Sequence, residues 1–185
     1  ASSRFCNCLI IFIDLSIINH KSIKMKKIFF LLFISLSTYS FAQEITGKTR
    51  TTDKYSNAIR QINDEYFKND FTTINQIFAD DGSYTINGDN FTKNQIIEGF
   101  AMHHNLYTKI KMPQNFVDTT FYDENNNNQV WSHLWGLWEA TSKKSGKSTS
   151  NPVNVSFKWV DGRVVSASWI FDPTELNEEI IASQK

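Results

Sequence analysis

The stretch Tyr66-Phe-Lys-Asn-Asp-Phe-Thr-Thr-Ile-Asn-Gln-Ile-Phe-Ala-Asp-Asp-Gly-Ser-Tyr84 ends one helix, breaks, begins another and passes into a strand. Upstream of it Tyr55, Ala58, Ile59, Ile62 and Tyr66 recur at helical spacing, which predicts a first helix from about Asp53 to Lys68 with Thr52 as its N-cap. Asn69-Asp70 interrupts it. A short second helix then turns Ile74, Ile77 and Phe78 inward, Asp80-Asp81-Gly82 stops it, and a strand follows at Ser83 to Asn87.

Downstream, Thr92-x-x-Gln95 reads as a capping box, with Phe91 placed to staple onto Ile96, so a third helix starts there. Its buried stripe is expected to be Ile96, Ile97, Phe100, Ala101, His104 and Tyr107 or Thr108. After Pro113 the sequence alternates aromatic and β-branched residues with polar ones, which predicts strands near 115–122, 129–141, 150–160 and 163–171. The separators are turn sequences, and Asp161-Gly162 is the signature of a two-residue hairpin. Asp172-Pro173-x-Glu175 is placed to open a short last helix. Helices first and antiparallel strands afterwards define an α+β domain.

The N-terminal part reads as an address. Met25-Lys-Lys, the apolar run Ile28 to Leu36 and Ser40-Phe-Ala42 form the basic, hydrophobic and cleavage regions of a signal peptide. The apolar run is well short of the ~20 residues of a membrane span. The domain plan is therefore upstream sequence outside the native protein at 1–24, signal peptide at 25–42, linker at 43–52, a folded domain at 53–172 and a tail or short helix at 173–185. Export to the periplasm or the medium, with no membrane attachment after cleavage, is the expectation.

Composition narrows the function classes. Beyond residue 42 the chain holds 14 basic and 18 acidic side chains, a net charge of −4, which gives no electrostatic footprint for nucleic acid. Cys6 and Cys8 lie outside the predicted domain and lack a second ligand pair for zinc, and no cofactor or metal motif is present. Aromatic residues make up 14% of the chain, and all of the tryptophans lie between Trp131 and Trp169.

The quoted stretch, with its Phe-Ala-Asp-Asp run, resembles the opening of nuclear transport factor 2-like (SnoaL-like) proteins. Phe157-Lys-Trp-Val-Asp-Gly-Arg-Val-Val-Ser166 is similar to their last two strands. The resemblance implies a cone in which three N-terminal helices pack on a strongly bent, mostly antiparallel sheet and enclose a small-molecule pocket. Ketosteroid isomerases in this group use a general-base Asp, a Tyr and a second Asp. The matching positions here are Ile86, Ile62 and Val155, all apolar. The acid of the SnoaL-type cyclases falls on Trp169. The resemblance thus implies a pocket but supplies neither known set of catalytic residues.

Polar groups on otherwise apolar elements are the remaining candidates. His104 follows Phe100 by one turn, and His133 stands between Trp131 and Trp135 on a strand; either can serve as a general base near neutral pH. His103 reads as a solvated neighbour of His104. The expected ligand-binding positions are Tyr84, Ile86, Phe100, Trp135, Val155, Phe157 and Trp159. In the closing hairpin a regular two-residue turn puts Trp159, Phe157, Val155 and Ile170 on the core face and Trp169 and Phe171 on the opposite face. That exposed aromatic face predicts a homodimer. Three functions compete: a pocket protein for a small apolar or aromatic molecule, a lyase or isomerase with a His base, and an association module. The abundance of aromatics and the lack of a recognised catalytic group favour the first.

Overall fold

A computed structural model describes residues 45–184; the expected signal peptide with its cleavage site and the Cys6/Cys8 pair lie outside the described residues. Strand β1 (Gly47–Arg50) leads into helices α1 (Lys54–Tyr66) and α2 (Thr72–Ile77), then β2 (Phe78–Ile86), β3 (Asp89–Phe91) and α3 (Lys93–Leu106). The long strands β4 (Tyr107–Tyr122), β5 (Val130–Ser142), β6 (Ser148–Val160) and β7 (Arg163–Ile170) follow, and α4 (Thr174–Ser183) ends the chain. Together the strands form one seven-stranded sheet in the order β1-β4-β5-β6-β7-β2-β3, antiparallel throughout except for the β2–β7 pair. The α+β expectation therefore holds. The helices number four among the described residues rather than forming a block of three at the N-terminus: β2 and β3 separate α2 from α3, and α4 packs Leu176 and Ile180 on Leu106, Tyr107 and Ala140.

Local chemistry explains the element ends. Asp53, one residue beyond the expected Thr52, caps α1 by accepting from the amides of Tyr55 (2.8 Å) and Ser56 (3.2 Å). At α3 the capping box forms as expected, with Thr92 and Gln95 exchanging side-chain and backbone hydrogen bonds. No side chain at the N-cap position Phe71 serves α2; instead Glu65 accepts from the Thr73 amide at 2.8 Å and its hydroxyl at 2.7 Å, which also ties α2 to α1.

β2 starts at Phe78, earlier than the turn chemistry of Asp80-Asp81-Gly82 suggests. Phe78 is wholly buried and pairs with Val164, and the ladder resumes only at Ser83 after a register shift, so the acidic turn residues form an irregularity within a strand. The buried Lys93 ammonium reaches the carbonyls of Asn75 (2.9 Å) and Phe78 (3.3 Å) and the Asp80 carboxylate (2.7 Å), holding this passage against α3. β4 likewise begins at Tyr107, ahead of Pro113, because the β4–β5 register shifts on either side of Lys111 and the partner β1 covers only Thr119 to Tyr122. A proline can therefore sit in this edge segment.

The closing hairpin decides which side chains are inside. Asp161 (φ +50°) and Gly162 (φ +78°) make the two-residue turn, and Trp159 pairs with Val164 as expected. The next pair, however, is Lys158 with Ser166, so Val165 is an extra residue in β7. One inserted residue exchanges the faces of everything beyond it. Trp169 pairs with Val155 and is 7% exposed in the core, whereas Ile170 is 61% exposed. The expectation of Trp169 outside and Ile170 inside is thereby reversed.

A chain of hydrogen bonds pins α1 to the sheet. The Trp159 indole donates to Ser132 Oγ (2.8 Å), which contacts Thr119 Oγ1 (2.7 Å), which contacts Ser56 Oγ (2.8 Å), which donates to the Asp53 carboxylate (2.6 Å). An indole only donates and an ionised carboxylate only accepts, so every proton in the row has one direction, from Trp159 to Asp53.

Candidate functional site: an apolar cavity with one polar cluster

Between the inner sheet face and the helices lies a cavity of about 100 Å³. Helix α1 contributes Ile59, Ile62, Asn63 and Tyr66, successive turns of its apolar stripe; α3 contributes Phe100 and His103. From the sheet come Met112, Leu134 and Trp138, then Val153, Val155 and Phe157 of β6. The flipped register of β7 supplies Trp169 and, just past the strand, Phe171; Leu176 of α4 adds one more apolar contact. Gly136 makes room for the Met112 side chain, since a Cβ there would stand 2.1 Å from its sulfur. An apolar cavity of ~150 Å³ stays dry and takes one benzene ring, so the space suits a body of about one ring.

Among the described residues no Asp, Glu, Lys or Arg lines the cavity. Its polar groups are a hydrogen-bonded row and two amides. Trp138 Nε1 donates to Tyr66 Oη at 2.9 Å, and Tyr66 Oη stands 2.9 Å from His103 Nδ1. The indole takes one lone pair of Oη, and Nδ1 is the one acceptor within reach of the Tyr66 hydroxyl among the described residues, so the tyrosine proton goes to Nδ1 and the neutral imidazole carries its own proton on Nε2. Burial, with a further contribution from adjacent His104, pushes the His103 pKa down to about 4, and burial raises that of Tyr66 above the ordinary phenol value. Both groups are thus uncharged at neutral pH. Asn151 is committed to the Asp172 backbone, donating to its carbonyl (2.6 Å) and accepting from its amide (3.3 Å). As arranged, His103 is a hydrogen-bond donor, with its basic nitrogen already in use.

The expected site residues divide accordingly. Phe100, Val155 and Phe157 do line the cavity. His104 does not: its Nε2 bonds the Tyr66 carbonyl at 2.7 Å, tying α3 to the last turn of α1. The neighbour read as solvated, His103, takes the cavity position, three residues rather than four beyond Phe100. His133 and Trp135 lie on the outer sheet face, where their rings stack at 5.2 Å and His133 Nδ1 meets Asp118 at 3.1 Å. Their β5 neighbours Leu134 and Trp138 face inward, as strand alternation requires. Tyr84 is fully buried, its hydroxyl shared between the carbonyls of Ala79 (2.7 Å) and Val164 (3.1 Å). Trp159 belongs to the buried hydroxyl row, and Ile86 packs on the core beside β7 without lining the cavity. Among the described residues no three His, Cys, Asp or Glu side chains group closely enough to hold a metal ion.

This arrangement, helices over the inner face of a mostly antiparallel sheet with the cavity between them, is the nuclear transport factor 2-like fold. PrhC from Penicillium brasilianum superposes with a TM-score of 0.53 at 12% identity, covering 73% of this chain and 93% of PrhC. A nuclear transport factor 2-like protein of unknown function from Burkholderia pseudomallei gives 0.51 at 13% identity over 70% of this chain and 98% of that one. IdmH from Streptomyces antibioticus, described as a candidate polyketide cyclase, gives 0.51 at 11% identity over 69% and 99%. No protein-family profile and no curated protein matches the sequence.

Proposed function

We propose that the chain is an exported pocket protein that binds one small, apolar, uncharged molecule in this cavity. The observation that carries the reading is a lining free of Asp, Glu, Lys and Arg, in which the indole, phenol and imidazole are already hydrogen-bonded to one another. A charged ligand would enter without a counter-ion, at a desolvation cost of several kcal/mol.

Lyase or isomerase chemistry is the second reading, favoured by the presence of an imidazole in an otherwise apolar cavity. It is the weaker one, since proton abstraction needs a free basic nitrogen and His103 Nδ1 is occupied by Tyr66. Two further parts of the proposal are export through the leader at 25–42 and pairing of two copies through the outer sheet face.

Trp138 and Trp169 both line the cavity, so ligand entry is readable in their emission. A panel of uncharged one-ring compounds should include members that shift or quench it saturably, and a Leu134→Trp variant, which fills the space, should abolish the response. Absence of any saturable response across the panel in the native protein would leave the association module as the better reading.

A further inference from the structure

The remaining hydrogen-bonding capacity of the polar cluster is narrow. His103 Nε2–H makes no hydrogen bond among the described residues. Nor is it among the sealed, unsatisfied side-chain atoms, of which Asn126 Nδ2 is the one example there, so Nε2 keeps some accessible surface on a residue that lines the cavity. Its ring stands between Phe100 and Trp138, each with centroids 6.0 Å away, and Tyr66 holds its other nitrogen. The imidazole can rotate neither its proton nor its plane without breaking the row back to the indole. One turn before Tyr66, Asn63 also lines the cavity with no side-chain hydrogen bond of its own. Among the described lining residues the uncommitted polar groups are therefore the fixed His103 donor and the rotatable Asn63 amide, and the rest of the lining is apolar or already hydrogen-bonded.

Resting on the pocket reading above, we infer that His103 Nε2–H is the specificity-determining group of the cavity and selects a neutral oxygen acceptor on a one-ring apolar body. The ligand oxygen takes the Nε2 proton, and its ring lies against Val155, Phe157 and Trp169. Tyr66 and Trp138 act as positioning residues, since they fix the tautomer that donates. A group that only donates, such as a pyrrole-type N–H, finds no partner at Nε2, and a carboxylate finds a donor but no positive charge. Burial, which keeps His103 neutral down to about pH 4, prevents the imidazole from supplying that charge at physiological pH.

The probes are cyclohexanone, the nearly isosteric hydrocarbon methylenecyclohexane and cyclohexanecarboxylate, titrated at pH 7 against the native protein, His103→Phe, His103→Gln and Tyr66→Phe. A neutral hydrogen bond of about 1 kcal/mol predicts that His103→Phe lowers the ketone-to-hydrocarbon affinity ratio roughly five-fold, to within a factor of about two. His103→Gln retains a donor and should recover part of the ratio, and Tyr66→Phe should give an intermediate value. With carbonyl-labelled cyclohexanone, the carbon resonance should move downfield on binding to the native protein and not to His103→Phe. If ketone and hydrocarbon both bind but the ratio and the resonance are indifferent to His103→Phe, the donor role is wrong and the pocket reading stands. Tighter binding of the carboxylate than of the ketone also overturns the assignment. If none of the three probes binds the native protein, the pocket reading fails and takes this one with it.

Discussion

His103 enters the folded state neutral because burial, with His104 beside it, pushes its pKa to about 4, whereas an imidazole in the unfolded chain titrates near 6.5. Between those two values the unfolded state takes up a proton that the folded state refuses. Stability from this group is therefore complete above about pH 6.5 and falls progressively as the pH drops toward 4, by an amount on the order of 3 kcal/mol. Chemical melts from pH 7 to 4.5 should show this slope, and His103→Gln should flatten it. Carboxylates such as Glu65 act only at the acid end of the window, because hydrogen bonds from Thr73 and Gln61 outweigh the upward push of burial and hold its pKa below the usual range. Equal slopes in the two proteins would show that the imidazole is not held neutral by the fold. His104 serves differently, since its bond to the Tyr66 carbonyl holds the residue that in turn orients His103.

At the scale of the sheet, the extra residue Val165 sorts side chains into two sets. The inner set, with Trp169 and Phe157, walls the cavity. The outer set places Phe116 opposite Trp135, Trp135 opposite Asn154, and Asn154 opposite Ile170, in one row across four strands. Phe116 is 52%, Trp135 39% and Ile170 61% exposed. Such a row on a sheet face is a natural contact for the same row on a second copy. The proposed homodimer keeps its place, but its motive moves from Trp169 and Phe171 to this row. Light scattering of the native domain should give twice the monomer mass at high micromolar concentration, and Trp135→Glu should return it to monomer. A native monomer at that concentration would count decisively against the interface.

For the whole molecule, the proposed leader and the domain differ in charge. The first 42 residues hold five basic side chains, one acidic side chain and the apolar run, and the remainder carries a net charge of −4. Among the described residues no helix is long and apolar enough to cross a membrane. Export through a cleaved signal peptide predicts that the mature protein begins at Gln43. Intact-mass measurement on secreted or periplasmic material checks this, and material retaining residues before Ala42 would refute it.

What the sequence determined by itself is local. The helical stripe Ile59, Ile62 and Tyr66, the Thr92/Gln95 capping box and the Asp161-Gly162 turn are legible because each depends on residues a few positions apart. From these the α+β order follows, and with it Phe100, Val155 and Phe157 as cavity residues. The tertiary structure alone decided what depends on register and on partners distant in sequence. A single extra residue in β7 turned Trp169 inward, a change the alternation of the strand cannot reveal because both registers alternate equally well. The choice of His103 over His104 was settled by Tyr66 and Trp138, which lie 37 and 35 positions away in the chain and meet it only after folding. Adjacent histidines on a helix differ by one step of rotation, and it takes the packed neighbours to say which of them the cavity receives.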